Sequence, residues 1–158
     1  MLECHAPKAV LLPVGEMNFP YEWTPELMPT QMFEIGNLVI VGMPGEFTTM
    51  SGRRIRNDIK KIYADHGRDV HVILSGLANT YSNYIATPEE YQLQRYEGGS
   101  TLFGPHTLDV ITFINCSKHN LIFCSIPFRL IDNNFNIWLN KCFHVKRFPR
   151  LDRNFLIY

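Results

Sequence analysis

A strand–helix–strand pattern in the middle of the chain constrains its fold more than any other feature. Residues 37–43 (NLVIVGM) and 70–74 (VHVIL) are short apolar runs bounded by turn-forming residues, as in buried strands. Between them, apolar residues recur at helical spacing from a start near Thr48 to Ser51 up to Gly67, which predicts a helix of about four turns. We therefore predict an α/β protein with a partial mixed sheet that contains at least one βαβ unit.

Two other segments carry weaker signals. Residues 9–14 (AVLLPV) form an apolar run bounded by Pro and Gly, which predicts a further buried strand. Pro88 precedes two glutamates, and a short helical stretch from there through Arg95 would place proline at its first position and acids near its positive end. Prolines 20, 25 and 29 break the connection before the central pattern too often for a long helix.

The sequence changes character shortly before residue 110. All ten glycines lie at or before Gly104, and the last 50 residues keep no helical or strand period for more than one turn. We expect one unit over residues 1–109 and an irregular tail over 110–158. The tail is either a small accessory subdomain or extended arm, or a non-native or disordered ending such as a translated intron; its unordered mixture of apolar and polar residues favours the second.

Charge and hydropathy exclude several classes of protein. The chain has 15 Lys+Arg and 15 Asp+Glu, so it lacks the overall basic field of a dedicated nucleic-acid binder. The zero net charge is a cancellation, because residues 1–108 carry −4 and residues 109–158 carry +4. No apolar run is long enough for a transmembrane helix, and the first residues do not show the pattern of a signal peptide.

Cysteines and histidines give no self-contained site. Cys4, Cys116, Cys124 and Cys142 form either a disulfide set or a group of unrelated thiols, and the absence of a CxxC pair favours unrelated thiols. The six histidines show neither HxxxH nor HExxH spacing, so they predict no zinc site of their own.

Candidate chemistry lies after the two central strands. Ligand sites of α/β sheets collect beyond the carboxyl ends of strands, which here are the segments Gly42–Glu46 and Gly76–Tyr84. Glu46 suits a metal ligand or general base, or it caps the helix that follows. Four tyrosines are close in sequence and could pack in a core, ligate a metal or donate to an oxyanion. They are Tyr81, Tyr84, Tyr91 and Tyr96.

Long motifs in this region resemble the neutral ceramidase family. They are IVGMPGEFTTMSGRRIR and VILSGLANTYSNYIATPEEYQLQRYEGGSTLFGPHTL, preceded by CHAPKAVLLPVGE and PYEWTPELMPTQMFEIGNL. The resemblance implies a zinc amidase that cleaves ceramide to sphingosine and a fatty acid. It implies that Glu46 and Tyr84 are zinc ligands, that Tyr81 is a neighbour, and that Tyr96 hydrogen-bonds the amide oxygen as it becomes negative.

The resemblance also implies what lies outside this sequence. The family's two zinc histidines and catalytic serine fall upstream of the CHAPK segment, and its carboxy-terminal β-sandwich would follow residue 109. We therefore expect an internal fragment from the later part of the catalytic domain, inactive alone. Ceramide and related sphingolipids would be reached peripherally from a membrane surface, and the full-length family is expected to be extracellular or associated with secretory-pathway membranes.

An alternative hypothesis gives the chain no catalytic role. Basic residues of the tail alternate with phenylalanines, a composition that suits a non-catalytic lipid- or partner-binding module at an anionic surface. The basic residues are Lys141, Lys146, Arg147, Arg150 and Arg153, and the aromatic residues are Phe143, Phe148 and Phe155.

Overall fold

The computed structural model describes residues 2–24, 28–93 and 95–118. The elements follow one another as α1 (Leu2–His5), a 3-10 turn (Val14–Glu16), β1 (Gln31–Ile35), β2 (Leu38–Gly42), β3 (Glu46–Phe47), α2 (Thr49–Asp65), β4 (His71–Ser75), β5 (Tyr84–Ile85), α3 (Pro88–Tyr91), α4 (Tyr96–Gly99) and α5 (Thr107–Lys118).

The main sheet confirms the predicted βαβ unit. Its strand order is β1-β2-β4, and β2 pairs in parallel with β4 so that Leu38 lies opposite His71. Helix α2 connects these two strands. Strand β1 is antiparallel to β2 and joined to it by a turn at Gly36, whose φ of 63° favours glycine. The sheet is therefore mixed, as the α/β prediction required.

Helix α2 covers one face of this sheet and forms the core with it. The Thr48 side chain accepts a hydrogen bond from the Ser51 backbone N–H at 3.2 Å and so caps the first turn. Ile55, Ile59 and Tyr63 lie on the buried side of the helix, where they join a cluster with strand residues that include Val39, Val41 and Val72. Burial of each large aliphatic side chain contributes about 1.5–3 kcal/mol, so this face stabilises the unit.

A second, two-stranded sheet lies after the first. β3 and β5 are parallel, with Glu46 opposite Tyr84 and Phe47 opposite Ile85. Helix α3 then begins with a capping box, in which Thr87 and Glu90 bond each other's backbone N–H groups. The Glu90 carboxylate also accepts a 2.5 Å hydrogen bond from the Thr48 hydroxyl and thereby ties α3 to the start of α2.

The structure corrects the predicted helix from Pro88 through Arg95. Helix α3 ends at Tyr91, and a separate helix, α4, begins at Tyr96. The Lys8 ammonium donates hydrogen bonds to the carbonyls of Tyr91 and Leu93. Because the Tyr91 carbonyl would accept the next i→i+4 bond of a continuous helix, its bond to Lys8 accounts for the early end of α3.

The predicted strand over residues 9–14 is wrong, and strand β1 was not predicted. Residues 9–14 pair with no strand. Leu11 donates one backbone hydrogen bond to the Gly99 carbonyl, and Pro13 has no N–H with which to continue a ladder. β1 lacks a clear alternation, because Phe33, Glu34 and Ile35 are all exposed. Its position is fixed by pairing with β2, which a local pattern does not encode.

The end of the described region bears on the predicted tail. Helix α5 runs across residue 109, and Leu108 packs into the main core with Ile111 against it. Residues 119–158, including the basic and aromatic positions, lie outside the described residues. None of the helices in the described part of the chain is long and apolar enough to cross a membrane.

Cys4 departs from the expectation of unrelated thiols. It is disulfide-bonded and buried. The bond was not predictable because the four cysteines show no diagnostic spacing.

Candidate functional site

The two segments singled out after the central strands meet at one edge of the molecule. Three backbone N–H groups of the second segment donate to carbonyls of the first: Ala78 to Met43 at 2.9 Å, Leu77 to Gly45 at 3.2 Å, and Ser82 to Pro44 at 2.6 Å. These bonds position β3 beside β5. They convert the carboxyl ends of two strands into one rigid platform, as expected for an α/β sheet.

This platform is tightly packed and conformationally strained. A Cβ on Gly76 would lie 2.9 Å from the Gly45 carbonyl oxygen, so glycine permits the two backbones to approach. Leu77, Asn79 and Asn83 all have positive φ, between 57° and 69°. Such conformations are uncommon for residues other than glycine and cluster at functional sites in many proteins.

Glu46 lies at the centre of the platform and interacts with two phenols. Its Oε1 accepts a hydrogen bond from the Tyr81 hydroxyl at 2.6 Å. A hydrogen bond with Glu46, followed by burial, raises the pKa of Tyr84 to about 12. Burial and then the bond to Glu46 raise the pKa of Tyr81 as well. Both phenols are therefore protonated at neutral pH.

Tyr84 and Tyr96 lie next to each other although they belong to different elements. Their rings meet edge to face, with centroids 5.5 Å apart and planes at 89°. Tyr96 begins α4 and is 62% exposed. Within the described residues its hydroxyl has no hydrogen-bond partner, so it is available to donate to a bound molecule.

Tyr91 has a different role from the other three tyrosines. It is buried, and its hydroxyl donates a 2.6 Å hydrogen bond to the His5 carbonyl. Of the four clustered tyrosines, it is the one that packs in the interior. The structure thus brings Glu46, Tyr81, Tyr84 and Tyr96 together and separates Tyr91 from them.

Two cavities adjoin this group. One of about 520 Å³ is lined by Glu46, Phe47, Arg56, Leu74 and Leu77, among others. The second, of about 350 Å³, is lined by residues that include Tyr84, Leu93, Arg95 and Glu97. Sequence reasoning missed the lining residues Arg56 and Arg95, since a single basic residue on a helix or loop carries no signal of its own. Both are open hollows in the surface, lined by a mixture of polar and apolar residues.

The donor set fits part of a metal site. A carboxylate oxygen and a phenol oxygen are suitable ligands for zinc, and the Glu46–Tyr84 pairing brings them to the same place. Across the described ranges, no group of three or more His, Cys, Asp and Glu residues could hold a metal ion. A four-coordinate site here would therefore need ligands from outside the described residues.

Comparisons with known proteins agree on one family. Residues 1–113 match the family model described as "Neutral/alkaline non-lysosomal ceramidase, N-terminal". The chain is 56% identical over 111 residues to a neutral ceramidase of Oryza sativa subsp. japonica, 55% over 109 residues to neutral ceramidase 3 of Arabidopsis thaliana, and 55% over 107 residues to neutral ceramidase B of Dictyostelium discoideum. Each match covers 68% of this chain and 14–15% of the relative.

Solved structures give the same result. A ceramidase complexed with C2 aligns with a TM-score of 0.64 and 40% identity, over 75% of this chain and 19% of that one. The neutral ceramidase of Pseudomonas aeruginosa aligns with a TM-score of 0.63 and 44% identity, over 72% and 18%. The matching family model describes the amino-terminal region, so the findings place the chain there and do not support the expected position in the later part of the catalytic domain.

Proposed function

The chain belongs to the neutral/alkaline non-lysosomal ceramidase family, and on this basis we propose that it forms part of a zinc-dependent amidase site that hydrolyses ceramide to sphingosine and a fatty acid. The observation that carries the proposal is the convergence of Glu46, Tyr84 and Tyr96 on one platform from three separate elements. The chain spans about one seventh of the length of the curated relatives it matches, so the complete site includes residues from beyond it.

Glu46 and Tyr84 would hold the metal. The Tyr81 hydroxyl fixes one oxygen of the Glu46 carboxylate, which restricts its rotation and presents it beside Tyr84. Bound zinc would polarise the amide carbonyl and lower the pKa of a water molecule, since neutral amides resist hydrolysis. To hold the metal, the Tyr84 phenol would release its proton to solvent, because the oxygen that interacts with Glu46 would then face a cation.

Tyr96 would stabilise the developing negative charge. Its hydroxyl is exposed and its ring lies against that of Tyr84, so the donor is held close to the proposed metal ligand. A phenol in this position can donate to an oxyanion without first breaking another hydrogen bond, provided that the substrate amide enters beside Tyr84. The arrangement suits Tyr96 as a catalytic residue rather than a metal ligand.

The substrate class follows from the family and from the walls of the site. Phe47, Leu74 and Leu77 provide apolar surface beside Glu46, which suits the hydrocarbon chains of ceramide and related sphingolipids. Because such substrates reside in membranes, the full-length protein would contact a membrane surface peripherally. We propose an extracellular location or an association with membranes of the secretory pathway.

A chimera tests the proposed activity. Residues 1–113 replace the segment that they match in the rice neutral ceramidase, and the rest of that protein supplies the missing part. We expect zinc-dependent cleavage of a short-chain fluorescent ceramide, and its loss in Glu46→Gln. A matched control, Glu22→Gln, changes an exposed carboxylate in the amino-terminal half of the chain. Full activity of the Glu46→Gln chimera would refute the assigned role.

The 158-residue chain alone should not cleave the same substrate. A site with two of its metal ligands loses both affinity and the open coordination geometry that activates water. Product formation is measured with and without added zinc. Zinc-dependent turnover by the isolated chain would show that the remaining ligands are not required.

A further inference from the structure

The amino-terminal residues Cys4–Leu11, called the arm below, lie against the turn that carries Tyr96. This turn comprises the end of α3, the described part of the connection after it, and α4, that is residues 91–93 and 95–99. The two segments are more than 80 residues apart in sequence, yet side chains and backbone of the arm contact the turn at several points. Such non-local contacts fix the position of a short helix that has little stability of its own.

Lys8 is the main contact between the arm and the turn. Its ammonium donates hydrogen bonds to the carbonyls of Tyr91 and Leu93 and lies 4.7 Å from the centroid of the Tyr91 ring. Partial burial lowers the pKa of the Lys8 amine. One side chain therefore satisfies two carbonyls at the point where α3 stops.

His5 makes a second contact from the same arm. Its ring is fully buried and meets the Tyr91 ring edge to face, with centroids 5.2 Å apart. The ring nitrogens face two carbonyls: Nδ1 lies 3.1 Å from that of Lys8, and Nε2 lies 3.3 Å from that of Gly98. The Nε2 contact reaches into α4 itself, two residues after Tyr96.

The fit between the arm and α4 is close. A Cβ on Gly98 would lie 3.0 Å from both the Lys8 amine and the Leu93 carbonyl oxygen, so even a methyl group would push against the contact. Leu11 completes the contact by donating a 2.9 Å backbone hydrogen bond to Gly99. The arm thus holds α4 at both its inner face and its end.

We propose that His5 and Lys8 are positioning residues, which hold α4 so that the Tyr96 ring lies against Tyr84 at the candidate site. The observed contacts bear only on the position of the Tyr96 ring. The importance of that position for catalysis rests on the proposed function. The contacts of the arm fall on Leu93, Gly98 and Gly99, on both sides of Tyr96, and α3 and β5 are the other described elements that pack against α4. The Tyr96 side chain itself is 62% exposed.

Fluorine NMR on the 158-residue chain tests this proposal without any metal or turnover. The tyrosines are labelled as 3-fluorotyrosine, and the Tyr84, Tyr96 and Tyr63 signals are assigned from single Tyr→Phe variants. Lys8→Met removes the donors but keeps an unbranched side chain. We expect the Tyr96 signal to move to the position of free fluorotyrosine and Tyr63, in the main core, to stay unchanged. Lys60→Met, at an exposed site on α2, is the matched control.

Gly98→Ala provides a second perturbation of the same contact without removing a charge, because its methyl group would lie 3.0 Å from both the Lys8 amine and the Leu93 carbonyl oxygen that Lys8 bonds. It should shift the Tyr96 signal in the same direction. An unchanged Tyr96 signal in both variants would overturn the proposal. So would a simultaneous shift of the Tyr63 signal, since Lys8 would then support the whole fold and not α4 in particular.

The outcome for the proposed function is separate. Suppose that Lys8→Met displaces Tyr96 but the parent chimera is inactive. The positioning role of the arm would then stand, and the proposed amidase site would be rejected. If the parent chimera is active, Lys8→Met within it should lower kcat more than it changes KM, and Lys8→Arg should restore part of kcat because guanidinium also donates to carbonyls.

Discussion

Replacing Tyr96 by phenylalanine isolates the proposed oxyanion donor. The substitution removes one hydroxyl and retains the ring, so the edge-to-face contact with Tyr84 at 5.5 Å can persist. Tyr96 is 62% exposed, and no described residue hydrogen-bonds its hydroxyl. The substitution therefore removes almost no interaction that stabilises the folded state, and the free energy of unfolding should change by less than about 0.5 kcal/mol.

The effect on catalysis should be much larger than the effect on stability. Removal of one oxyanion donor typically lowers kcat by about 10²–10³, which corresponds to about 2.7–4 kcal/mol of transition-state stabilisation. KM should change little, since the hydroxyl is proposed to bond the amide oxygen only as it becomes negative. The contrast between kcat and unfolding free energy is the diagnostic result.

The assay uses the rice chimera with a short-chain fluorescent ceramide, and thermal unfolding is followed on the same preparations. Tyr21→Phe is the matched control, because Tyr21 is also exposed and lies in a different part of the chain. A kcat within about threefold of the parent, less than 1 kcal/mol by transition-state arithmetic, would refute the donor role. If the unfolding temperature falls together with kcat, the Tyr96 hydroxyl supports the fold, and the argument that it has no partner in the folded protein is refuted.

Three further predictions concern the framework of the site. Ile59→Ala removes a fully buried side chain from the α2 face and should cost about 2–5 kcal/mol in urea unfolding of the 158-residue chain, whereas Met50→Ala, at a half-exposed position on the same helix, should cost far less. Burial and a hydrogen bond to Glu34 raise the pKa of Tyr63 from 10.0 to about 12, so its contribution to stability is complete below pH 10.0 and is lost as pH rises to about 12. The unfolding free energy of the Tyr63→Phe variant should therefore fall less steeply with pH over this interval than that of the parent chain. Identical slopes for the two proteins would contradict the assignment. Gly76→Ala places a methyl group 2.9 Å from the Gly45 carbonyl and should destabilise the platform by about 1–3 kcal/mol; unchanged urea unfolding would show that the two backbones separate without cost.

The central unit could be predicted because its information is local. Helix α2 carries its start signal at Thr48, its buried face at Ile55 and Ile59, and its stop at Gly67, all within the segment itself. Its flanking strands are short and mostly apolar, and each buries one face, with Val39 and Val41 on β2 and Val72 on β4. The place of the candidate site was predicted from the same pattern, because strand ends of a βαβ unit point to one edge.

Features that depend on distant partners were missed. Strand β1 exists through its pairing with β2, and the helix predicted from Pro88 is interrupted where Lys8 takes the Tyr91 carbonyl. Residues 9–14 are apolar enough for a strand, but Leu11 bonds Gly99 at the end of α4 and no neighbouring strand completes a ladder. Pattern and propensity describe each segment alone, so they cannot anticipate such contacts.

Within the candidate site, the residue types were predictable but their relations were not. The family resemblance pointed to Glu46, Tyr84 and Tyr96, whereas spacing alone left the four tyrosines equivalent. The structure distinguishes them by partner: Tyr81 bonds Glu46, and Tyr91 bonds the backbone of the arm. That division depends on the fold of the strand ends around Glu46 and on the course of the arm.

The central claim is that Glu46 and Tyr84 together ligate zinc, and the metal content of the chimera tests it most directly. Zinc is measured by mass spectrometry after dialysis against a weak chelator, for the parent chimera, Glu46→Gln, Tyr84→Phe and the control Tyr21→Phe. We predict one zinc ion per chain in the parent and in the control, and loss of most of the zinc from both ligand variants. Full zinc content in Glu46→Gln and Tyr84→Phe would contradict the claim.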